Sequence, residues 1–456
     1  MEGKTQSIDA VLERTTLGSY RWMIYSICAA LLALEGYDGY LVSNLAPVIA
    51  RGLSVSIPAM GAVFSAQAIG FAVAYYTIPL LADYIGRRMI IILCALCFAL
   101  LTYATTLVDT FSSFVMIRAL AFVALGGALP NVVALAAEYL PKSRHGSLIT
   151  WLFVGHGLGA AAAGWLGSFL IAYYSWHVPF WIGSAVLLAA IPFLWVYLPE
   201  SCRYLAVKNG QDPRIGQILH KIDSTVLVSD TVVYVSAEGK AKGVPLAGLF
   251  RDGRLTLTLL LWVANAATFY TAATFTAWLP SFLSVLGHLD FKLAVRMASL
   301  SAFGSMLGPL LLDLIARRGG RFRAVLATVI AGGIVMCLTG SVSDMPPLGW
   351  VFGFLFGMLV IGGQAGLNSL NASCYPTAMR STGIGWAAGA GRVASVFGPG
   401  IAGGMLAAHM SPNVIYVATA APLFVAGIAL AILASMRTGN ADVPDQLPQG
   451  AVAETD

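Results

Sequence analysis

The chain has 456 residues, of which 58% are hydrophobic and only 10% are charged. Soluble domains average about 25% charged residues, so a soluble protein of this length could not cover its surface with so few charges. The composition therefore excludes a soluble globular protein and favours a membrane protein. The net charge of +5 lies mostly in short clusters between apolar runs, which indicates membrane orientation and not nucleic-acid binding.

Residues 1–19 are polar and mixed in charge, so we expect a cytoplasmic segment there and no cleavable signal. From residue 20 onward the sequence predicts membrane-spanning helices, each of which needs about 20 mainly apolar residues. The twelve predicted spans are Tyr20–Ser43, Ala59–Leu81, Met89–Leu107, Phe111–Tyr139, Ser147–Tyr173, His177–Leu198, Leu255–Leu286, Lys292–Ile315, Ala324–Val342, Leu348–Cys374, Thr382–Ala408 and Pro412–Ser435.

The spans form two groups of six, within residues 20–198 and 255–436. Residues 199–254 between the groups are too charged to insert into a membrane, and we expect a cytoplasmic loop without a compact apolar core. Residues 437–456 are rich in Pro, Gly and Asp, a composition typical of a disordered tail.

Lysine and arginine predict the orientation of the spans. If both termini are cytoplasmic, thirteen of the 26 basic residues lie in the terminal segments and short inner loops, and eight lie in the central loop. Only three lie in outer loops, while Arg118 and Arg392 lie inside predicted helices. Because basic residues accumulate on the cytoplasmic side, we expect a multi-pass protein of the inner (plasma) membrane with both termini in the cytoplasm.

The two groups of spans repeat one sequence pattern. Gly126-Gly127 is followed by Tyr139 and Arg144, and Gly362-Gly363 is followed at the same distances by Tyr375 and Arg380, an offset of 236 residues. An even number of spans separates the copies, so the halves are parallel repeats. The sequence thus predicts an all-α membrane protein of twelve helices in two six-helix repeats, an architecture typical of transporters. Coincidence among glycine-rich helices is the alternative.

Two acidic residues lie within the first span. Glu35 and Asp38 are three residues apart and therefore share one helix face. Neighbouring carboxylates repel each other, and burial favours their neutral form, so the pair is suited to taking up and releasing a proton. We expect both in the outer part of the span, at the depth of Arg118 in the fourth span. Arg118 is their predicted partner, and a permanent ion pair without proton exchange is the alternative.

Arg392 lies near the middle of the eleventh span, and the repeat offset places His156 at the equivalent position of the first half. Two such groups would face each other across a central cavity. A guanidinium offers a two-pronged donor to a carboxylate, so the pattern favours an anionic substrate. For His156 the alternative is a histidine that only bonds a neighbouring helix.

Polar and aromatic side chains on two further spans complete the predicted substrate site. The seventh span carries Thr271, Phe275 and Trp278 on one face, and the tenth carries Gln364 and Asn368. Rings and hydrogen-bonding groups beside a guanidinium suit an aromatic ring that bears a carboxylate. Core packing or lipid contact is the alternative for each aromatic residue.

The loop Leu81–Arg88, Leu-Ala-Asp-Tyr-Ile-Gly-Arg-Arg, resembles the loop signature of the major facilitator superfamily, although Pro79 replaces its usual opening glycine. In that superfamily the aspartate caps the start of the eleventh helix, and the arginines pair with an acid at the inner end of the fourth. The resemblance therefore implies gating roles for Asp83, Arg87, Arg88 and Glu138.

A closer resemblance is to the aromatic acid:proton symporters of that superfamily, and it covers most of the twelve spans. The similar segments are Glu35-Gly36-Tyr37-Asp38, Gly126–Asn131, Glu138-Tyr139, Pro141-Lys142, Leu198–Ser201, Trp278-Leu279-Pro280, Tyr375–Arg380 and Gly391-Arg392. The first segment departs from the family pattern because Glu35 replaces an aspartate. The charge is kept, which leaves proton coupling plausible and puts the substrate preference in doubt.

The sequence thus predicts a transporter, and the resemblance implies proton-coupled import of an aromatic carboxylate of the benzoate or hydroxybenzoate type. The alternatives are a non-aromatic or heteroaromatic acid (muconate-like or nicotinate-like), or export. Metal-spaced histidines, a nucleophile elbow and a phosphate-binding loop are all missing from the sequence. We therefore expect no enzyme activity, no metal or other cofactor, no nucleic acid and no obligatory protein partner, only an organic anion, protons and lipid.

Overall fold

The protein, represented by a computed structural model, is almost entirely helical. The structure describes residues 5–15, 17–141, 145–226, 232–235, 246–251, 253–342, 345–375 and 379–438. The predicted tail beyond residue 438 lies outside these ranges. Two bundles of long helices make up the body of the molecule, joined by the segment that follows the sixth long helix.

The first bundle contains six long helices, which are preceded by a short strand, β1 (Thr5–Ser7), and a short helix, α1 (Ile8–Arg14). A 3₁₀ turn, Ile57–Ala59, leads into the second long helix, and another, Thr105–Leu107, ends the third. The long helices are α2 (Ser19–Gly52), α3 (Met60–Ile85), α4 (Arg87–Ala104), α5 (Phe111–Tyr139), α6 (His145–Leu170) and α7 (His177–Tyr197).

The connecting segment contains the short helices α8 (Cys202–Lys208) and α9 (Pro213–Ile222), the strand β2 (Val233–Val235) and the 3₁₀ turn Leu246–Phe250. The second bundle then has six long helical segments. Two of them contain π-helical turns, Phe282–Leu286 and Gly357–Ile361. The α-helices are α10 (Leu255–Ser281), α11 (Phe291–Gly319), α12 (Arg321–Val342), α13 with α14 (Pro346–Phe356 and Gly363–Cys374), α15 (Arg380–Ala407) and α16 (Pro412–Thr438).

The helix boundaries confirm the internal repeat. The first residues of α2 and α10, Ser19 and Leu255, are 236 positions apart. The pairs α6 with α15 and α7 with α16 begin 235 positions apart. Ten of the helical segments are long and apolar enough to cross a membrane, and α1 with α2 would make an eleventh if taken as one bent span. The twelfth, α15, is less apolar but has 28 residues, enough to span a bilayer.

The first long helix is longer than the sequence predicts. We expected it to end at Ser43, but α2 continues to Gly52 through Pro47. A proline inside a helix removes one hydrogen bond and normally favours a break. Here Leu45 and Ile49, on either side of the proline, are fully buried, and their packing holds the helix together. Glu35 consequently lies at the middle of α2, and not in its outer part as predicted.

The connecting segment is not the coreless loop that the sequence predicts. Strand β1 pairs in parallel with β2, so the N-terminal segment joins it in one small folded unit, which we call the cap. Apolar residues of α1, α8 and α9, such as Leu12, Leu205 and Leu219, are buried in a cluster that continues into the first bundle. The loop differs from the prediction because its apolar residues pack with the N-terminal segment and against that bundle. Ion pairs of 2.8 Å, Arg14–Asp223 and Arg203–Asp9, also join the two pieces.

The cap lies at the end of the bundles where α2 and α10 begin, which we call the basic side because the predicted basic loops lie there. Away from this side, the two halves are in contact. Gly157 and Gly164 of α6 pack against Met306 and Ser299 of α11. The ring of Trp278 in α10 lies edge-on to that of Phe64 in α3, with ring centres 5.2 Å apart.

Toward the basic side the same helix faces are uncovered. Phe153, one turn before Gly157 on α6, is 45% exposed, and Leu310, one turn after Met306 on α11, is 61% exposed. The contacts between α6 and α11 described above therefore lie on the side away from the cap.

Glycine allows a close contact between α2 and α6 within the first half. A Cβ atom at Gly36 of α2 would overlap the main-chain carbonyl oxygen of His156 in α6, whereas a Cβ at Gly39 would meet nothing within 4 Å.

We predict that Gly36→Ala destabilises the protein by about 1–3 kcal/mol, the usual cost of overpacking, while Gly39→Ala does not. Thermal unfolding of the two purified variants in detergent tests this, and equal melting temperatures would contradict it.

Candidate functional site

A buried ion pair joins α2 and α5 inside the first half. Arg118 Nη2 lies 2.6 Å from Asp38 Oδ1, and the two side chains are 0% and 3% exposed. With its amide oriented for hydrogen bonding, the Gln67 carbonyl of α3 accepts from Arg118 Nε and Nη2 at 3.1 and 3.2 Å. The rings of Phe122 and Phe180 cover the guanidinium at 5.3 and 5.4 Å. The predicted partnership of Asp38 with Arg118 is therefore present.

Glu35 does not share this ion pair, although the sequence predicted that both acids meet Arg118. Its carboxylate borders an apolar cleft lined by side chains such as Leu34, Phe98 and Leu187. No hydrogen bond joins it to another described residue. The residues that line this cleft belong to α2, α4, α5 and α7 of the first bundle.

Arg392 is held among aromatic rings at the boundary between the two halves. Its guanidinium carbon lies 4.5 Å from the ring centre of Phe71, 5.2 Å from that of Tyr75 and 5.0 Å from that of Phe269. Phe71 and Tyr75 belong to α3, and Phe269 belongs to α10. Its buried Nε has no acceptor, and no hydrogen bond or ion pair joins the guanidinium to a described residue. Arg392 is therefore a cation that is surrounded by aromatic rings and has a buried N–H group without an acceptor.

His156 of α6 lies beside α2. Its ring lies edge-on to that of Tyr40, with ring centres 6.1 Å apart, and its main-chain carbonyl oxygen lies against Gly36. The predicted position of His156 opposite Arg392 stays a prediction.

The structure does not bring the predicted residues of the seventh span to Arg392. The Thr271 hydroxyl donates to the main chain of Thr419 in α16, and Phe275 packs against Phe356 and other rings of the second half. Trp278 belongs to the contact between the halves. All three are at most 1% exposed, so the face that the sequence assigned to substrate instead packs the second bundle.

The predicted residues of the tenth span also separate. Gln364 turns into a small cleft inside the second bundle, and neither atom of its amide has a hydrogen-bond partner in the described chain. Asn368 is exposed. One turn further on, Asn371 is buried and exchanges two 3.2 Å hydrogen bonds with Asn265 of α10. The polar stripe therefore spreads over different environments instead of forming one wall.

The residues of the predicted gate lie at the basic side. Arg87 forms an ion pair with Glu138, as the resemblance implies. Arg88 instead donates its main-chain N–H to Glu200 Oε1 at 3.0 Å and places its side chain at the carbonyl oxygen of Trp195. Asp83 is exposed, and no hydrogen bond joins it to the described start of α15. The predicted contact of Asp83 with the start of α15 is therefore not made among the described residues.

Several residues of the site were not identified from the sequence. Phe71 and Tyr75 are four positions apart on α3 and so share a face, and Phe269 of α10 is the third ring beside Arg392. The four-residue spacing can be seen in the sequence. It does not point to Arg392, because the three rings come from different halves. Glu200 lies in the Leu198–Ser201 segment that carries the family resemblance, but no role was predicted for it. In the structure its carboxylate accepts the main-chain N–H of Arg88 and so holds the loop between α3 and α4.

Comparison with known proteins defines the class. The Major Facilitator Superfamily pattern matches residues 28–399, so the chain belongs to this superfamily of membrane transporters and is a transporter rather than an enzyme. The fold agrees: the chain superimposes on the xylose transporter XylE of Escherichia coli with a TM-score of 0.70 at 15% identity, covering 91% of this chain and 99% of XylE.

Curated relatives match along almost their whole length. The chain is 29% identical over 424 residues to a gallate transporter of Pseudomonas putida, covering 93% of this chain and 94% of the relative. It is 30% identical over 425 residues to the 4-hydroxybenzoate transporter PcaK of Acinetobacter baylyi, covering 92% and 93% respectively. These similarities confirm the predicted fold and the resemblance to transporters of aromatic acids.

We predict that removing one partner of the Asp38–Arg118 ion pair destabilises the protein more than removing both partners. Asp38→Asn leaves a buried guanidinium without a counter-charge, which costs about 3–5 kcal/mol. The double variant Asp38→Asn, Arg118→Gln leaves no charge and should recover most of that loss. Melting temperatures of the purified single and double variants measure the difference. A double variant less stable than Asp38→Asn would show that the two residues do not act as a pair.

Proposed function

We propose that the protein is a proton-coupled secondary transporter that imports an aromatic carboxylate, of the benzoate or hydroxybenzoate type, across the inner membrane by alternating access. Both termini lie in the cytoplasm, so the basic side is the cytoplasmic side. The substrate is bound between the halves, at the enclosure around Arg392.

The unpaired guanidinium of Arg392 carries this proposal. A charged group in the interior of a membrane protein is costly unless it is paired, and such groups usually mark the path of a substrate or ion. Arg392 has donors free and rings on its sides. A guanidinium binds a carboxylate in a planar, two-pronged arrangement, and the neighbouring rings offer stacking surfaces for an aromatic group.

The relatives support the same chemistry. Gallate and 4-hydroxybenzoate each combine one aromatic ring with one carboxylate, and their transporters match this chain from end to end. A ligand of that shape could place its carboxylate on Arg392 and its ring against Phe71, Tyr75 or Phe269. We also assign His156, at the equivalent position of the first half, to this site.

Proton coupling follows from the energetics of import. An aromatic acid is an anion at neutral pH, and moving one charge against the membrane potential costs about 2.3 kcal/mol per 100 mV. A proton carried with the anion cancels that cost. Glu35 and Asp38, with Arg118 beside them, are the ionisable group that we assign to this coupling.

The substrate site is tested by comparing an acid with its uncharged amide. We expect the wild-type protein to bind benzoate or a hydroxybenzoate far better than the matching amide, and Arg392→Gln to lose that preference. Arg392→Lys keeps the charge but loses the planar fork, so its affinity for the acid should fall markedly, about tenfold or more. Competition against a labelled acid measures this. An unchanged preference for the acid in Arg392→Gln would remove Arg392 from the site.

Uptake into proteoliposomes with an imposed proton gradient separates the proposal from its rivals. Accumulation of benzoate, hydroxybenzoates or protocatechuate supports it. Preferential uptake of muconate or nicotinate in the same panel would replace the aromatic carboxylate with another organic acid. Movement of the acid only out of the vesicles, with the cytoplasmic face inside, would indicate an exporter.

The gate is tested through turnover. When the halves close on the basic side, we expect Asp83 to stabilise the N-terminus of α15, while Arg87 stays paired with Glu138. Asp83→Asn should therefore lower the maximal rate of transport several-fold while changing the apparent KM by less. Initial rates across a substrate series measure both quantities. A large rise in KM at an unchanged maximal rate would contradict the assignment.

A further inference from the structure

We infer that Arg296 of α11 is a second anion-binding residue, which receives the substrate carboxylate on the side of the molecule away from the cap. In this structure its guanidinium instead joins the two halves, against Trp165 and Ser168 of α6. The inference rests on the proposed function, because it requires an anion to enter from that side, here called the outer side. It adds a binding step that precedes binding at Arg392.

The contact between α6 and α11 places Arg296 near its outer end. Gly164 of α6 packs against Ser299 of α11. Because the two helices run in opposite directions here, one further turn along α6 brings Ser168 beside Arg296. Arg296 is five positions from Phe291, the first residue of α11. It therefore lies where the halves must separate if the outer side is to open.

Arg296 bridges the halves without an acid. Its guanidinium carbon lies 5.5 Å from the ring centre of Trp165, and its Nε donates to Ser168 Oγ at 3.4 Å. No ion pair joins it to a described residue. Asp290, the acid that precedes it on α11, accepts instead from main-chain N–H groups at the start of that helix. The positive charge thus rests on a ring face and a hydroxyl, both of which are weaker partners than a carboxylate.

A second donor without an acceptor lies about one helical turn away. Asn44 of α2 is 4% exposed, and its Nδ2 has no hydrogen-bond partner in the described chain. This Nδ2 and Ser299 Oγ both lie within 4 Å of the point where a Cβ at Gly164 would stand. Ser299 is three positions after Arg296, so the two share a face of α11. A buried donor without an acceptor is costly, and Asn44 and Arg296 together favour an anion at this boundary.

The two uses of Arg296 exclude each other. While the guanidinium lies on α6, it holds the halves together on the outer side. When the halves separate there, as alternating access requires, it loses Trp165 and Ser168 and faces the opening. A carboxylate from outside then accepts two of its N–H groups in one plane. Since a ligand stabilises the state that it binds better, an anion on Arg296 favours the state that is open on the outer side.

The chain offers a matched control for each partner. Lys292 lies one turn before Arg296 on α11 and is exposed, so Lys292→Gln removes a neighbouring positive charge. Phe169 lies one turn after Trp165 on α6 and is 56% exposed, so Phe169→Leu removes a neighbouring ring. Neither change touches the contact of Arg296 with α6.

The first experiment measures opening on the outer side. Ser299→Cys, in a chain whose six native cysteines are changed to serine, places a thiol in the buried contact. A membrane-impermeant maleimide added to intact cells reaches this thiol only when the halves separate on the outer side.

We expect Trp165→Leu and Arg296→Gln each to speed this labelling about three- to tenfold, through loss of the cation–π contact. The double variant should be no faster than the quicker single variant, because both changes break the same contact. Labelling rates that match the parent chain overturn the inference, and so does an equal acceleration in Lys292→Gln or Phe169→Leu.

The second experiment isolates the charge once the contact is gone. Initial uptake rates of benzoate and 4-hydroxybenzoate compare Trp165→Leu with the double variant Trp165→Leu, Arg296→Gln. Both lack the contact, so they differ in the charge alone. We expect the double variant to have an apparent KM about threefold higher or more, and Trp165→Leu, Arg296→Lys to lie between the two. Lys292→Gln in the Trp165→Leu background should leave the KM unchanged.

Failure of this inference differs from failure of the proposed function. If the wild-type protein accumulates no organic acid, the proposed function fails. If it accumulates the acids, but Trp165→Leu has the same KM with and without Arg296→Gln, the function stands and the role of Arg296 in binding the anion is overturned.

Discussion

The need to neutralise every charge inside the bilayer governs this structure. Arg118 meets the need within one half, through Asp38 and Gln67. Arg392 has no ion pair with a described residue and is surrounded by the rings of Phe71, Tyr75 and Phe269. One of these arginines is therefore paired and the other is not. Because the unpaired charge lies between the halves, an anion bound there would contact residues of both halves.

Close packing decides where the halves meet. Glycine and small side chains let α6 and α11 touch on the side away from the cap, and the Trp278 ring of α10 packs against Phe64 of α3 there. Thus Trp278, which the sequence assigned to substrate, instead joins the halves on that side. A residue of this kind affects transport through the closed state and not through contact with the substrate.

The cap connects the N-terminal segment to the predicted gate. Glu200 follows α7, accepts from the main-chain N–H of Arg88, and its carbonyl oxygen accepts from the Tyr139 hydroxyl at 2.6 Å. Gly86 has a φ of +96°, and a Cβ there would overlap the Glu200 carboxylate, so glycine is required on both grounds. The turn between α3 and α4 is therefore fixed to the cap, which keeps Arg87 beside Glu138.

The sequence by itself determined the features that arise from local composition and periodicity: the helices, their repeat at an offset of 236 residues, and the central position of Arg392. It also predicted the Asp38–Arg118 and Arg87–Glu138 pairs, through depth in the first case and resemblance in the second. Only the tertiary structure decided that Glu35 stays apart from the Asp38–Arg118 pair, that Phe71, Tyr75 and Phe269 enclose Arg392, and that Thr271 and Phe275 do not reach this arginine. These facts depend on how far α2 extends past Pro47 and on how each helix is rotated in its bundle. In a chain so uniformly apolar, helix rotation is set by packing between distant residues, which hydrophobic periodicity along one helix does not record.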